Sequence, residues 1–243
     1  MVEGDCDRNE LSDSSNSIEE NEDSSVNWEN NKDIVKFYTR RYSLFSKFDQ
    51  GIKLDRESWF SVTPEKIAQN TAKRCQCDTI VDAFCGAGGN TIQFAKTCKK
   101  VIAIDIDPQK VELARHNAEI YGVTDRIQFI VGDFFKLADT LEADVVFLSP
   151  PWGGLQYKKY RRYNLQRLQP KPFDDLWETA RKITPNLAFY LPKNSNTYPL
   201  VVAPGSNAVE VEQNILGGFV IAITAYFGNL IKKPITLEES EGE

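Results

Sequence analysis

Histidine is nearly absent: His116 is the sole one among 243 residues. A metal or proton-transfer site built on imidazole would have to rest on that residue alone. It falls in the middle of a predicted helix, where packing is its expected role. Cysteine is sparse and ill-placed for a scaffold, with five residues, an odd number, and no framework spacing. Cys75-Gln76-Cys77 is too close for the usual zinc pair, and no second pair completes it. Reduced thiols of a cytosolic or nuclear protein are the reading that remains. No apolar run reaches the ~18 residues of a membrane span. The first residues carry acids in place of a basic, apolar leader, so no secretory signal is expected. There is no internal repeat.

Charge is plentiful but unevenly spread. The formal net charge is −6. Residues 1–33 hold 11 acids and 2 bases, and residues 236–243 hold 4 acids and no base. The segment between keeps 27 of the 29 basic residues against 20 of the 35 acids. A basic body between acidic ends is compatible with a polyanionic ligand. The first 30 residues offer almost nothing to bury and are expected to be disordered. Residues 31–74 read as a helical extension, residues 75–235 as the main domain and residues 236–243 as an acidic tail. In the extension, apolar and aromatic residues interleave with Lys36, Arg40, Arg41 and Lys47. "SVTPEKIAQNTAKR" predicts a helix with Thr63 as N-cap and Pro64 at its first position.

Regular alternation follows. "DTIVDAF", "VIAIDID", "IQFIVGD" and "ADVVFLS" read as apolar strands. Between them, "GGNTIQFAKTCKK", "PQKVELARHNAEIYG" and "FFKLADTL" read as helices, the second opened by Pro108 and closed by Gly122. Such alternation predicts an α/β fold with a parallel sheet covered on both faces. A helix over "FDDLWETARKIT" and strands over "NLAFYLP", "AVEVEQNI" and "FVIAITAYF" complete it.

Open α/β sheets bind ligands beyond the carboxyl ends of their strands. There the first strand carries "VDAFCGAGGNT", whose Gly86, Gly88 and Gly89 permit close backbone approach and a tight turn into a helix. The second strand ends on Asp105, an acid able to accept from both ribose hydroxyls. The loop reads G-A-G-G rather than GxGxxG, and Asp82 precedes it. A carboxylate there repels a pyrophosphate but suits the ammonium of an amino acid. The pattern therefore favours S-adenosylmethionine over a dinucleotide. The third strand ends on Asp133, able to accept from an adenine amino group. Phe134 follows to cover the ring, a part that Phe135 could equally take.

The fourth strand leaves the core in "SPPWGG", Ser149 to Gly154. Two prolines fix this backbone and carry no N–H. Ser149 and the Pro150 carbonyl can accept from an exocyclic amine while Trp152 stacks on the same planar base. Tryptophan is the best side chain for facing a cation, and 7-methylguanine is a cationic base with an exocyclic N2. Basic and aromatic residues interleave in "YKKYRRY", Tyr157 to Tyr163, a pattern that suits an RNA 5′ end.

Taken together, "FSVTPEKIA", "IVDAFCGAGGNTIQFA", "VIAIDIDPQKVELARHNAEIYG", "VVFLSPPWGG", "VEVEQN" and "ITAYFG" resemble the cap hypermethylases, the trimethylguanosine synthase family. The likeness runs from about Lys36 to Pro234. It implies a Rossmann-like class I methyltransferase fold with a mostly parallel seven-stranded sheet. It implies two methyl transfers from S-adenosylmethionine to N2 of a 7-methylguanosine cap on small nuclear and small nucleolar RNAs. At matching positions, it implies that Phe45, Thr63, Asp82, Gly86, Asp105, Asp133 and Phe134 serve the cofactor. Ser149, Pro150 and Trp152 would hold the base, with Lys36, Tyr157 and Lys193 on the cap phosphates. No metal is implied. A monomer in the nucleus and nucleolus is expected, with proteins of those RNA particles as candidate partners. Asn229 after "YFG" departs from the Asp expected there. The residues by themselves leave open another nucleobase amino-methyltransferase, or a non-catalytic RNA-binding adaptor.

Overall fold

The computed structural model describes residues 38–206 and 208–232. The acidic ends, residues 1–30 and 236–243, and Lys36 lie outside the described residues. Seven strands form one sheet in the order β3-β2-β1-β4-β5-β7-β6. They are β1 Thr79–Asp82, β2 Lys100–Asp105, β3 Ile127–Val131, β4 Val145–Leu148, β5 Leu187–Pro192, β6 Glu210–Leu216 and β7 Phe219–Tyr226. The first five run parallel, and β7 pairs antiparallel with both β5 and β6. The expected mostly parallel sheet is present. The strand order reverses between β1 and β4, which opens a crevice at their carboxyl ends.

Alternate residues of the central strands enter two separate cores. Ile80, Val101, Val145 and Phe147 face one side. There they meet α3 (Glu65–Arg74), α4 (Gly89–Thr97) and α5 (Pro108–Tyr121) through Ile67, Ile92, Phe94, Val111 and Ala114. Val81, Ile102, Val146 and Leu148 face the other. There they meet α6 (Phe134–Leu137), α7 (Phe173–Arg181) and α8 (Tyr198–Val201) through Phe134, Phe173, Leu176, Trp177 and Leu200. Both faces are therefore apolar, which is why the strands lack an alternating pattern. Each fully buried Leu, Ile or Phe contributes about 1.5–3 kcal/mol.

Helix α5 begins and ends where its sequence dictates. Asp107 caps it by accepting from Gln109 N, Pro108 follows, and Gly122 closes it at φ +68°. Helix α3 departs from expectation. Its N-cap is Pro64, with no side-chain cap. Thr63 is instead buried, and its Oγ1 accepts from Asn90 Nδ2 at 3.0 Å. A tertiary hydrogen bond to α4 has taken the hydroxyl from the helix end.

Before α3, the described extension holds α1 (Arg41–Leu44) and α2 (Ser58–Ser61), each a single turn. Leu44, Phe45, Ile52, Leu54 and Trp59 join the first core. Lys110 on α5 ties the segment down through Asp55 at 2.7 Å and Glu57 at 3.2 Å. His116 Nε2 lies 2.8 Å from the Gly51 carbonyl, the packing role its helical position implies. Arg74 reaches from α3 to β6, bridging Glu210 and Glu212 at 2.9 Å each.

Candidate active site

A cleft of about 440 Å³ opens at the carboxyl ends of β1 to β4. Strand register sets its walls. Asp82 stands beside Ala103 of β2 and Phe147 of β4. Two residues further along those neighbours come Asp105 and Ser149. The chain after β1 turns through Gly86 at φ +50° and Gly88 at φ +88°, left-handed conformations that a side chain disfavours. At Gly88 a Cβ would stand 3.0 Å from the Ala114 Cα, so the missing side chain lets α5 pack against the loop. At Gly86 a Cβ would meet nothing within 4 Å, so the backbone here borders open space in the cleft.

Acids dominate one end. Asp105 accepts from Gly86 N at 2.9 Å through Oδ2 and from Asp107 N at 3.1 Å through Oδ1. Its carboxyl is raised above the usual range by burial, against those two bonds. Asp133 caps α6 by accepting from Phe135 N at 3.0 Å. Asp82 is wholly buried beneath the loop. Its Oδ2 accepts from Thr91 Oγ1 at 2.6 Å, and its Oδ1 has no partner within hydrogen-bond geometry among the described residues. Burial raises its carboxyl to about 7, with Thr91 opposing and the Asp105 charge adding to the rise.

The other end is aromatic. Trp152 is half-buried, its Nε1 donating to the Tyr190 carbonyl at 3.3 Å. The Tyr190 ring lies 5.5 Å behind it at 34°, and Tyr157 stands edge-on at 5.1 Å and 87°. Tyr163 OH donates to the Trp152 carbonyl at 3.2 Å. The indole is therefore fixed at its nitrogen, its backbone and its rear. Beside it, Ser149 Oγ donates to the Phe84 carbonyl at 3.2 Å. With its proton committed, the hydroxyl turns lone pairs outward and is an acceptor only. Gln169 N donates to the Pro151 carbonyl at 3.0 Å, while that of Pro150 has no donor among the described residues.

Residues 77–230 match the family described as RNA cap guanine-N2 methyltransferase. This chain belongs to that family. It is 45% identical over 208 residues to the trimethylguanosine synthase of Schizosaccharomyces pombe, covering 81% of this chain and 86% of that one. It is 39% identical over 178 residues to the trimethylguanosine synthase of Saccharomyces cerevisiae, covering 68% of this chain and 56% of that protein. A putative methyltransferase from Porphyromonas gingivalis W83 superimposes with a TM-score of 0.64 at 15% identity, covering 83% of this chain and 50% of that one. That likeness shows the Rossmann-like class I fold. The chain is thus a methyltransferase, and family and fold together imply S-adenosylmethionine as donor.

The cleft of this cap guanine-N2 methyltransferase fits such a donor. It offers acids toward a cationic ligand, a glycine cradle, and an orphaned buried carboxylate oxygen whose burial costs free energy until it is paired. Of the residues expected at the site, the structure brings Thr63, Gly86, Asp105, Asp133, Phe134, Ser149, Pro150, Trp152 and Tyr157 to the cleft wall. Asp82 lies just beneath it. Phe45 does not reach it; the ring is buried in the first core, 6.3 Å from that of Tyr121. Phe134 is buried against Phe84, whereas Phe135 is half-buried with Lys171 Nζ 4.5 Å over its ring. That arrangement gives Phe135 the more open face. Lys193 follows β5 directly and is exposed, without a partner among the described residues.

Sequence reasoning missed Tyr190 and Asn90. Tyr190 backs the indole, and its hydroxyl faces that of Thr63. Asn90, also on the wall, links α4 to that same Thr63. One chain of contacts thus runs from the glycine loop to Trp152. The "GGNT" run carried a signal for Asn90; "NLAFYLP" carried none for Tyr190, because every residue of that strand is buried.

Proposed function

We propose that this methyltransferase adds two methyl groups to N2 of the 7-methylguanosine cap of small nuclear and small nucleolar RNAs, forming 2,2,7-trimethylguanosine. The observation that carries this reading is the Trp152 plate, anchored on three sides, beside an oxygen acceptor that has already spent its proton. A cationic purine gains from an indole face. Its edge amine finds two acceptors, Ser149 Oγ and the Pro150 carbonyl. The naming of both fungal relatives as trimethylguanosine synthases supports the product.

When bound, the donor supplies an activated methyl on a sulfonium. Asp105 would hold the ribose hydroxyls, Asp133 the adenine amino group, and Asp82 with Gly86 the amino-acid end. The catalytic contribution of this chain is then positioning. Trp152 fixes the ring plane, and Ser149 and Pro150 aim the amine lone pair toward the acid-lined end of the cleft. The N2 proton leaves to water, since among the described residues no side chain stands out as a base beside Ser149 and Trp152. Tyr157, on the cleft wall, and Lys193, exposed just beyond β5, would meet the cap phosphates. Lys36, outside the described residues, would share that role, as the family resemblance implies. With these substrates the enzyme would work in the nucleus and nucleolus, which imaging of a tagged chain tests.

The deciding experiment incubates the protein with labelled donor and either m7GpppG or GpppG, and identifies products by mass. One and then two methyl groups on the N7-methylated cap alone support the reading. Methylation of both caps, or of internal bases in uncapped RNA alone, contradicts it.

A further inference from the structure

The segment that leaves Trp152 has a feature the cap does not use. Residues Gly154–Lys159 form a short 3-10 helix, and the chain then runs exposed to Tyr163. Its position is fixed. Asn194 Nδ2 donates to the Tyr157 carbonyl at 3.2 Å and to that of Tyr160 at 2.6 Å. Tyr163 N donates to the Asn194 carbonyl at 2.7 Å, and Asn196 N to the Tyr163 carbonyl at 2.8 Å. This strap carries Lys158, Lys159, Arg161 and Arg162, all exposed, and no acid. Among the described residues, Lys158 meets only the Tyr157 ring, 6.0 Å away. Lys159, Arg161 and Arg162 have no ion-pair or hydrogen-bond partner among the described residues. Exposed Tyr160 lies among them, its ring covered on one side by Arg167 at 4.8 Å.

Four unpaired cations on an anchored strap repel one another, which favours a polyanion lying along it. The strap starts at Tyr157, which touches Trp152 in the cleft. A chain whose first base sits on Trp152 therefore meets the strap as it leaves. Resting on the cap reading above, we infer that Lys158, Lys159, Arg161 and Arg162 bind the phosphates of the first transcribed nucleotides, beyond the cap, of a single-stranded RNA 5′ end. Tyr160 offers its remaining face to one of those bases. The enzyme thereby distinguishes a capped RNA from a free cap without reading sequence.

The test compares wild type with a Lys158→Gln/Lys159→Gln/Arg161→Gln/Arg162→Gln variant on m7GpppG and on a short capped single-stranded RNA, across a salt series. The expected result is a fall of about ten-fold or more in kcat/KM on the RNA at low salt. The log–log salt slope becomes shallower by about 2–3, at ~0.7 for each phosphate no longer neutralised. Turnover of the dinucleotide stays near that of wild type, which also shows that the variant folds. An equal fall on both substrates, or no change on either, overturns the inference. So does a rise in dinucleotide turnover, which would mean that the acidic residues 1–33 occupy the strap instead. If wild type methylates neither substrate, the cap reading fails. Filter binding of uncapped single-stranded RNA then decides for the strap: weakened, less salt-sensitive binding by the variant supports it, and equal binding overturns it.

Discussion

Ser149 Oγ donates its proton to the carbonyl of Phe84, 3.2 Å away, joining the end of β4 to the loop that follows β1. The bond sets the chemical character of the site, because a hydroxyl so committed accepts from an amine and offers it no proton. Removing it costs an oriented acceptor, of order 1–3 kcal/mol. Ser149→Ala should therefore lower kcat by about ten- to a hundred-fold, with KM for the cap changed little. Steady-state kinetics on m7GpppG check this. A rise in KM at constant kcat would make Ser149 a simple binding contact.

The wholly buried Asp82 yields a pH dependence. Its carboxyl is held at about 7 in the folded chain, raised first by burial. The unfolded value is near 3.9. The folded state thus binds the proton more tightly, and stability from this group is lost as pH rises between those values. Asp82→Asn removes that loss. In the absence of donor, the melting temperature of the variant relative to wild type should be higher at about pH 8 than at about pH 5. A difference independent of pH would show that Asp82 is ionised throughout.

Gly86 and Gly88 share a conformation but not a neighbourhood. Gly88→Ala adds to the ~1–2 kcal/mol of a left-handed residue the cost of forcing a methyl against Ala114, about 1–3 kcal/mol more. Gly86→Ala carries the backbone cost alone, but places its methyl in the cleft. Denaturant unfolding should rank Gly88→Ala as the less stable. Calorimetry should rank Gly86→Ala as the weaker donor binder among variants that still fold. The reverse order in either measurement would contradict the assignment.

How much of the molecule is legible in its sequence varies with the physics of each element. Helix α5 is legible at both ends because its cap, its proline and its closing glycine act within the helix itself. Helix α3 starts one position from where its sequence points, since Thr63 gives its oxygen to Asn90, 27 residues away. The polar ends of β1 to β4 are legible because acids and Ser-Pro-Pro interrupt apolar runs. Tyr190 is not, since an all-buried strand gives no sign of which ring reaches the crevice. Phe45 enters by resemblance alone, and the described chain keeps it in the core. Phe134 and Phe135 differ only in burial, which adjacent identical residues cannot announce.

The central claim is that the face of Trp152 holds a cationic base while the donor site stands apart from it. Its most direct test is Trp152→Ala, measured for cap methylation and, by calorimetry, for S-adenosylmethionine affinity. The account predicts that transfer to m7GpppG is lost while donor affinity stays close to that of wild type. Methylation at a near-normal rate would contradict it.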